Sequence, residues 1–273
     1  MKAVILAAGR GGRLRPVLGD RPKGLALVGD CTLIERQIRA LRGCGVSEIT
    51  VVAGYRTAEV RHACGSGVDI VHNFRFATTN SLYSLWLASH VLTEGFVVLN
   101  CDVLFHPQLL GDLMASPYED ALLYCPRGNA PSYSDEEMKV SVRRGLVVAI
   151  DKELSDDATD GENVGIAKFG PAGAARLIDH MGAIVDAGAL REWLPRAFAR
   201  FASDRPLHAI DTRGYPWIEI DFPEDYTRAC AEILPAIEAH TRRDTHRHAS
   251  PSVARTPRAI AANGQTRSAA NHV

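Results

Sequence analysis

Short, largely apolar runs punctuate the first half of the chain: Lys2 to Leu6, Ile49 to Val52, Val68 to Val71 (interrupted by Asp69), Phe96 to Leu99 and Ala121 to Cys125. They do not alternate with polar residues, which is the pattern of strands covered on both faces. Between them, apolar residues recur at helical spacing. Thr32 can cap a helix that carries Leu33, Ile34, Ile38 and Leu41 on one face and ends near Gly43 to Gly45. Further helices are predicted over Thr57 to Ala63, Ser81 to Val91 (capped by Thr79 or Asn80) and Leu109 to Met114. Strands alternating with helices predict an α/β fold: a mainly parallel sheet with helices on both faces.

The pattern changes after Pro126. Met138 to Val142 and Leu146 to Ile150 read as a hairpin around Arg143-Arg144-Gly145, and Val164 to Phe169 as a further strand. Residues 127–168 are thus expected to form a small β insertion over the open edge of the sheet. Helices follow over Ala172 to Val185 and Leu190 to Phe201. Leu207 to Ile210 returns to the sheet, and Trp217 to Asp221 precedes a last helix, Pro223 to Ala239, with Pro223 at a favoured first-turn position. From His240 the composition shifts to Arg, Ala, Ser, Thr, Pro, Asn and His. Six arginines stand against one acid, Asp244, a charge of +5 that leaves −6 on residues 1–239 of a chain whose total is −1. The expected organisation is one domain, 1–239, and a disordered basic tail, 240–273.

Composition narrows the class of protein. Of 273 residues, 46% are hydrophobic and 23% charged, as in a soluble globular protein. The near-neutral total gives no reason to expect nucleic acid or an anionic membrane as partner. Only about seven apolar residues follow Lys2 before a charged loop, so no secretory signal is expected, and no window reaches the ~18–20 apolar residues of a membrane span. The six cysteines, 31, 44, 64, 101, 125 and 230, show no C-x-x-C spacing and read as reduced thiols of a cytoplasmic protein.

The chemistry is concentrated in the first 25 residues. The first strand runs into L-A-A-G-R-G-G-R-L-R-P, Leu6 to Pro16, followed by R-P-K-G-L, Arg21 to Leu25. Gly9, Gly11 and Gly12 let backbone amides approach an anion, and Arg13 and Lys23 add positive charge. Two familiar phosphate loops do not fit. A dinucleotide fingerprint needs a third glycine where Leu14 stands and an acid at the end of the second strand, which instead closes Val51-Val52-Ala53-Gly54; the P-loop pattern is absent.

Read whole, the segment resembles the signature of nucleotidyltransferases that join a nucleoside triphosphate to a phosphorylated acceptor, L-A-A-G-x-G-[ST]-R-L-x-P followed by P-K. Leu6, Ala7, Ala8, Gly9, Gly11, Arg13, Leu14, Pro16, Pro22 and Lys23 match, whereas Gly12 stands where Ser or Thr is usual. The resemblance covers about residues 1–235 and implies the Rossmann-like, A-type fold of that family. It implies nucleotide contacts from Leu6, Ala7, Ala8, Gly9, Gly11, Gly12, Asn80 and Ser81, and catalytic roles for Lys23 and Arg13. It also implies Mg²⁺ on two carboxylates, Asp102 after the Phe96 to Leu99 strand and Asp221 of W-I-E-I-D, Trp217 to Asp221. Glu219 is read as falling on the other side of that extended segment, which leaves Asp221 the better ligand.

Further segments are similar to the CTP-dependent branch that includes the phosphocholine and 2-aminoethylphosphonate cytidylyltransferases: P-K-G-L, T-T-N-S-L-Y-S-L (Thr78 to Leu85), E-M-K-V (Glu137 to Val140), D-K-E-L (Asp151 to Leu154) and G-E-N-V-G-I-A-K-F (Gly161 to Phe169). This implies CTP and a small phosphate or phosphonate acceptor as partners, with no nucleic acid or membrane; a homodimer stays open. Acceptor contacts are expected from Lys152, Lys139, Glu162, Tyr83, Trp217 and Glu219, with Lys152 favoured among the lysines. Tyr83, Tyr133 and Trp217 would suit a quaternary ammonium, although buried packing is the commoner role for any one of them. Asn80 and Ser81 double as helix caps. Two other readings stand beside this one, a sugar-1-phosphate nucleotidyltransferase using dTTP, UTP or GTP, and a non-catalytic nucleotide-binding protein.

Overall fold

A computed structural model describes residues 1–128 and 136–249, with 243–249 as backbone only. β1 (Lys2–Ala7) is followed by a 3-10 turn, Gly12–Leu14, the one-turn helix α1 (Arg15–Leu18) and a second 3-10 turn, Lys23–Leu25. The short strands β2 (Leu27–Val28) and β3 (Cys31–Thr32) pair with each other and lead into α2 (Leu33–Gly43). Then come β4 (Ile49–Ala53), α3 (Thr57–Cys64), β5 (Val68–His72), α4 (Ser81–Leu87), α5 (Ser89–Leu92), β6 (Phe96–Asn100), β7 (Val103–Phe105), α6 (Pro107–Ala115) and β8 (Ala121–Pro126). The hairpin β9 (Lys139–Arg143) and β10 (Leu146–Asp151) precedes β11 (Gly161–Phe169), α7 (Pro171–Asp186), α8 (Pro195–Asp204), β12 (His208–Asp211) and β13 (Trp217–Glu219). The described chain closes with α9 (Pro223–Arg228), a π-helical segment (Ala229–Ile233) and α10 (Leu234–Ala249).

Nine strands form one sheet in the order β5-β4-β1-β6-β11-β8-β12-β10-β9. β5, β4, β1 and β6 are parallel, as βαβ crossovers require. Beyond them the sheet is mixed: β11 runs antiparallel to both β6 and β8, β12 is parallel to β8, and β10 and β9 are antiparallel. The expected insertion is therefore no separate layer. β9 and β10 extend the main sheet at its edge, and β9 also pairs with β11. The chain leaves β1 for β4 and β5 on one side and returns as β6 on the other. The carboxyl end of β1 is thus a topological switch point, where α/β sheets open a crevice.

The two-residue period of β1 splits its side chains between two cores. Ala3, Ile5 and Ala7 pack on one face with Ile34, Ile38 and Leu110, while Val4 and Leu6 pack on the other with Leu82, Leu85 and Phe201. Each fully buried aliphatic or aromatic chain there contributes about 1.5–3 kcal/mol. A third cluster joins Leu14, Val28, Leu33, Leu104, Ile220 and Leu234, and docks the C-terminal helices against the first turn of the chain.

Three boundaries depart from the sequence reading. The helix expected over Ser81 to Val91 breaks at Ala88, where the Ser89 hydroxyl donates to the Trp86 carbonyl and competes with the backbone ladder. The helix expected from Leu190 starts at Pro195, a residue suited to a first turn and unable to donate within one. The final helix passes Ala239 and continues to Ala249, so no helix end marks the expected domain boundary. Its extension is pinned: Thr241 Oγ1 lies 2.9 Å from the Ile237 carbonyl oxygen and 3.2 Å from His106 Nε2. Residues 250–273 of the expected tail lie outside the described residues, as does Tyr133. All six cysteines are free thiols, and among the described residues no helix is long and apolar enough to cross a membrane.

Candidate active site

Two turns meet at the end of β1. Gly11 is left-handed (φ 66°), and a Cβ there would come 2.8 Å from Lys23 Cβ. Only glycine allows both the turn and the close seating of the lysine beneath it. Leu14 is fully buried in the third cluster and anchors the loop, while its amide donates to the Gly11 carbonyl. The Lys23 turn is seated the same way: a Cβ at Gly24 would meet Ile34 Cδ1 at 2.7 Å and Cys101 Cβ at 3.2 Å. Gly9 and Gly12 have open space around them, and with Leu6, Ala8 and Gly11 they line a cleft of about 380 Å³. Ala7 does not. The alternation of the strand turns its side chain into the core.

The carboxylates converge through a two-stranded ladder that sequence reading missed. β7 begins immediately after Asp102 and pairs antiparallel with β13, Val103 opposite Glu219 and Leu104 opposite Ile218. The Ile220 amide then donates to the Asp102 carbonyl at 3.0 Å. The Asp225 carboxylate fixes the next turn by accepting from the amides of Asp221 (3.1 Å) and Phe222 (2.9 Å). As a result Asp102, Glu219 and Asp221 each offer an oxygen within 4.8 Å of the others. Glu219 thus shares a side with Asp221: residues two apart in an extended segment point the same way, which corrects the expectation that it faces elsewhere.

The Lys23 ammonium sits among these acids, 2.7 Å from Asp102 Oδ2 and in direct contact with Asp221 Oδ1. Burial alone would push its pKa down. Asp102, Asp221 and Glu219 outweigh burial and hold it well above the ordinary lysine value. Glu219 is likewise shifted upward, well above the usual carboxylate range, by burial and by the charges of Asp102 and Asp221, which favours its neutral form. Asp102 Oδ1 is buried without a hydrogen-bond partner. An orphaned carboxylate oxygen and a three-oxygen donor set fit a hard divalent cation such as Mg²⁺, and the Lys23 ammonium neutralises part of the same negative charge.

The other walls are arranged for anions and a planar group. Arg13 reaches over the cleft, its Nη2 2.9 Å from Glu136 Oε1 and its Nη1 4.0 Å from Asp221 Oδ2. Lys152 enters from the insertion, 3.0 Å from Glu136 Oε2 and 4.7 Å above the Trp193 ring. Asn80 and Ser81 line the cleft and are also caps: Asn80 Oδ1 accepts from the Ser81 amide, and Ser81 Oγ accepts from the Leu194 amide. Buried Asn73 braces the same wall, donating to Thr79 Oγ1 and Ser84 Oγ.

Other expected acceptor contacts do not reach the cleft. Lys139 is buried, donating to the Leu154 carbonyl at 3.1 Å and lying 3.9 Å from Asp156. Tyr83 is buried against Trp86 and does not line the cleft. Trp217 and Glu162 line a neighbouring acidic recess of about 340 Å³ that shares Glu136, Glu219 and Asp221 with the cleft. There, burial and the charges of Glu137 and Asp225 push the Glu162 carboxyl up to about 8. Sequence reading missed Glu136, Trp193 and Asn73. Of the three, only Asn73, a polar residue directly after the β5 strand, carried any local signal.

A glycine-rich loop, a lysine turn and a carboxylate cluster at the switch point of an α/β sheet define a nucleotide-transfer type of site. The chain belongs to the MobA-like NTP transferase domain family, whose profile matches residues 3–248. A bifunctional IPC transferase and DIPP synthase of Rubrobacter xylanophilus is 34% identical over 229 residues, 82% of this chain and 50% of that protein. A choline-phosphate cytidylyltransferase of Streptococcus pneumoniae is 38% identical over 119 residues, 43% of this chain and 52% of that one. The chain thus spans about half the length of these curated relatives. In fold it matches the inositol-1-phosphate CTP transferase from T. maritima with a TM-score of 0.71, covering 87% of this chain and 96% of the other at 22% identity.

Proposed function

We propose that the protein transfers a cytidylyl group from CTP to a small acceptor carrying a phosphate or phosphonate, with release of pyrophosphate. The observation that carries this reading is the convergence of Lys23, Asp102, Glu219 and Asp221 directly beneath the glycine loop. The choice of cytidine is supported by the relative whose name is choline-phosphate cytidylyltransferase.

An acceptor phosphate oxygen is already anionic at neutral pH, so attack on the α-phosphorus needs neither a general base nor a covalent nucleophile. Catalysis then rests on positioning and on neutralising charge. Lys23 meets the charge that grows on the α-phosphate. Arg13 and the amides from Gly9 to Gly12 hold the β- and γ-phosphates and the departing pyrophosphate. Lys152, on the opposite wall, orients the acceptor's anion, and the loop of Asn80 and Ser81 faces the nucleoside. Asp102, Asp221 and Glu219 would hold Mg²⁺, which when bound supplies charge neutralisation at the reacting phosphates.

Pyrophosphate release with CTP, UTP, dTTP, GTP and ATP, each crossed with phosphocholine, 2-aminoethylphosphonate, inositol phosphate and glucose 1-phosphate, tests the reading. Turnover is expected with CTP and a small acceptor. Turnover confined to dTTP, UTP or GTP with the sugar phosphate would replace it with the sugar-nucleotide alternative.

A further inference from the structure

Gln37 lies on α2, outside the cleft, and is 1% exposed. Its Nε2 donates to two backbone carbonyls at once, Asn100 at 2.9 Å and Val103 at 3.0 Å. These carbonyls bracket Cys101-Asp102, the turn between β6 and β7. Only the NH₂ end of the amide can serve two acceptors, so the orientation is fixed by the contacts. The other end, Oε1, is buried with no partner. An aliphatic side chain would avoid leaving that oxygen unsatisfied, whereas it could not hold the two carbonyls. One turn earlier on the same helix, Ile34 packs beneath Gly24, next to Lys23. α2 therefore touches both halves of the site, the lysine turn through Ile34 and the aspartate turn through Gln37.

We propose that Gln37 is a positioning residue that fixes Asp102 for cation binding and for its register with Lys23. The proposal rests on the cation-site reading above. Outer partners of this kind carry about 10- to 100-fold in metal affinity or activity. The test uses the full chain, with Mn²⁺ as the probe cation followed by electron paramagnetic resonance, alongside steady-state turnover of CTP. Gln37→Leu removes both donors; Gln37→Glu keeps the shape but turns acceptors toward the two carbonyls. Ile38→Val, a core cut on the same helix, shows how far a purely structural loss moves each readout.

Both Gln37 variants are expected to weaken Mn²⁺ binding about tenfold or more and to lower kcat, with KM for CTP within about threefold of wild type. Ile38→Val is expected to leave Mn²⁺ binding unchanged. Equal Mn²⁺ affinity in wild type and Gln37→Glu, or equal weakening by Ile38→Val, would overturn the proposal; so would a wild type that binds no Mn²⁺. If Gln37→Leu does not fold, Gln37→Glu decides alone. A wild type that binds Mn²⁺ but transfers no nucleotide would defeat the functional reading, and the Mn²⁺ affinities would still decide the role of Gln37.

Discussion

Gly11 and Gly12 are neighbours with opposite constraints. Gly11 is left-handed and has Lys23 Cβ where its own would be, whereas Gly12 faces open space. Gly11→Ala is expected to destabilise the fold by about 1–3 kcal/mol through overpacking and backbone strain, visible as a lower Tm, and to weaken CTP binding. Gly12→Ser is expected to leave Tm unchanged and to lower KM for CTP by returning a hydroxyl to the triphosphate loop; a raised KM would show that the bare amide is what the loop requires. Lys23→Ala is expected to lower kcat by more than ~100-fold, the scale of one removed electrostatic stabiliser, and turnover near wild type would remove the lysine from the mechanism. The residues of these turns were readable because a ten-residue pattern at fixed spacing carries them. Glu136 and Trp193 were not, since Glu136 lies outside the patterned stretches, Trp193 falls in a run read as plain helix, and each reaches the cleft only through the fold.

At the scale of elements, the site depends on the β7–β13 ladder and the turn that Asp225 closes. Asp225→Ala leaves two amides without their acceptor. It is expected to cost about 1 kcal/mol of stability, as a lost cap does, and to weaken Mn²⁺ binding through Asp221; thermal melts and a Mn²⁺ titration check both. The apolar runs located the strands of the main sheet to within a residue or two, except that β11 begins at Gly161, three residues before the expected Val164. β7 escaped because it is three residues long and follows β6 after only Cys101 and Asp102. Its absence from the sequence reading hid the reason that Asp102 and Asp221 meet. Nor did the runs give direction: β11 is as buried as β6, yet it crosses the sheet antiparallel.

At the scale of the whole molecule, the cleft and the acidic recess meet along Glu136, Glu219 and Asp221. Acids gathered in this way make stability depend on pH. Glu162 has its pKa raised from 4.5 to about 8 in the folded state. Between those values the unfolded chain releases the proton and the folded chain keeps it, so stability falls as pH rises through this window. Melting curves from pH 5 to pH 9 are expected to show Glu162→Gln gaining on the wild type as pH increases. A constant difference would mean that the recess does not hold that proton. The α/β class and the placement of the site at a sheet edge were legible because pattern and signature agree on them. The mixed half of the sheet and the run of the last helix to Ala249 depend on pairings and contacts, such as Thr241 with His106, that join residues far apart in sequence.

The central claim is that the cytidylyl group moves as a unit to the acceptor. It is tested most directly by incubating the protein and acceptor with CTP labelled at the α-phosphate and, separately, at the γ-phosphate. The account predicts that the α label appears in the acceptor conjugate and the γ label in pyrophosphate, and that Asp102→Asn suppresses both transfers. A γ label on the acceptor, or an α label that never leaves CTP with any acceptor while another nucleotide is consumed, would contradict it.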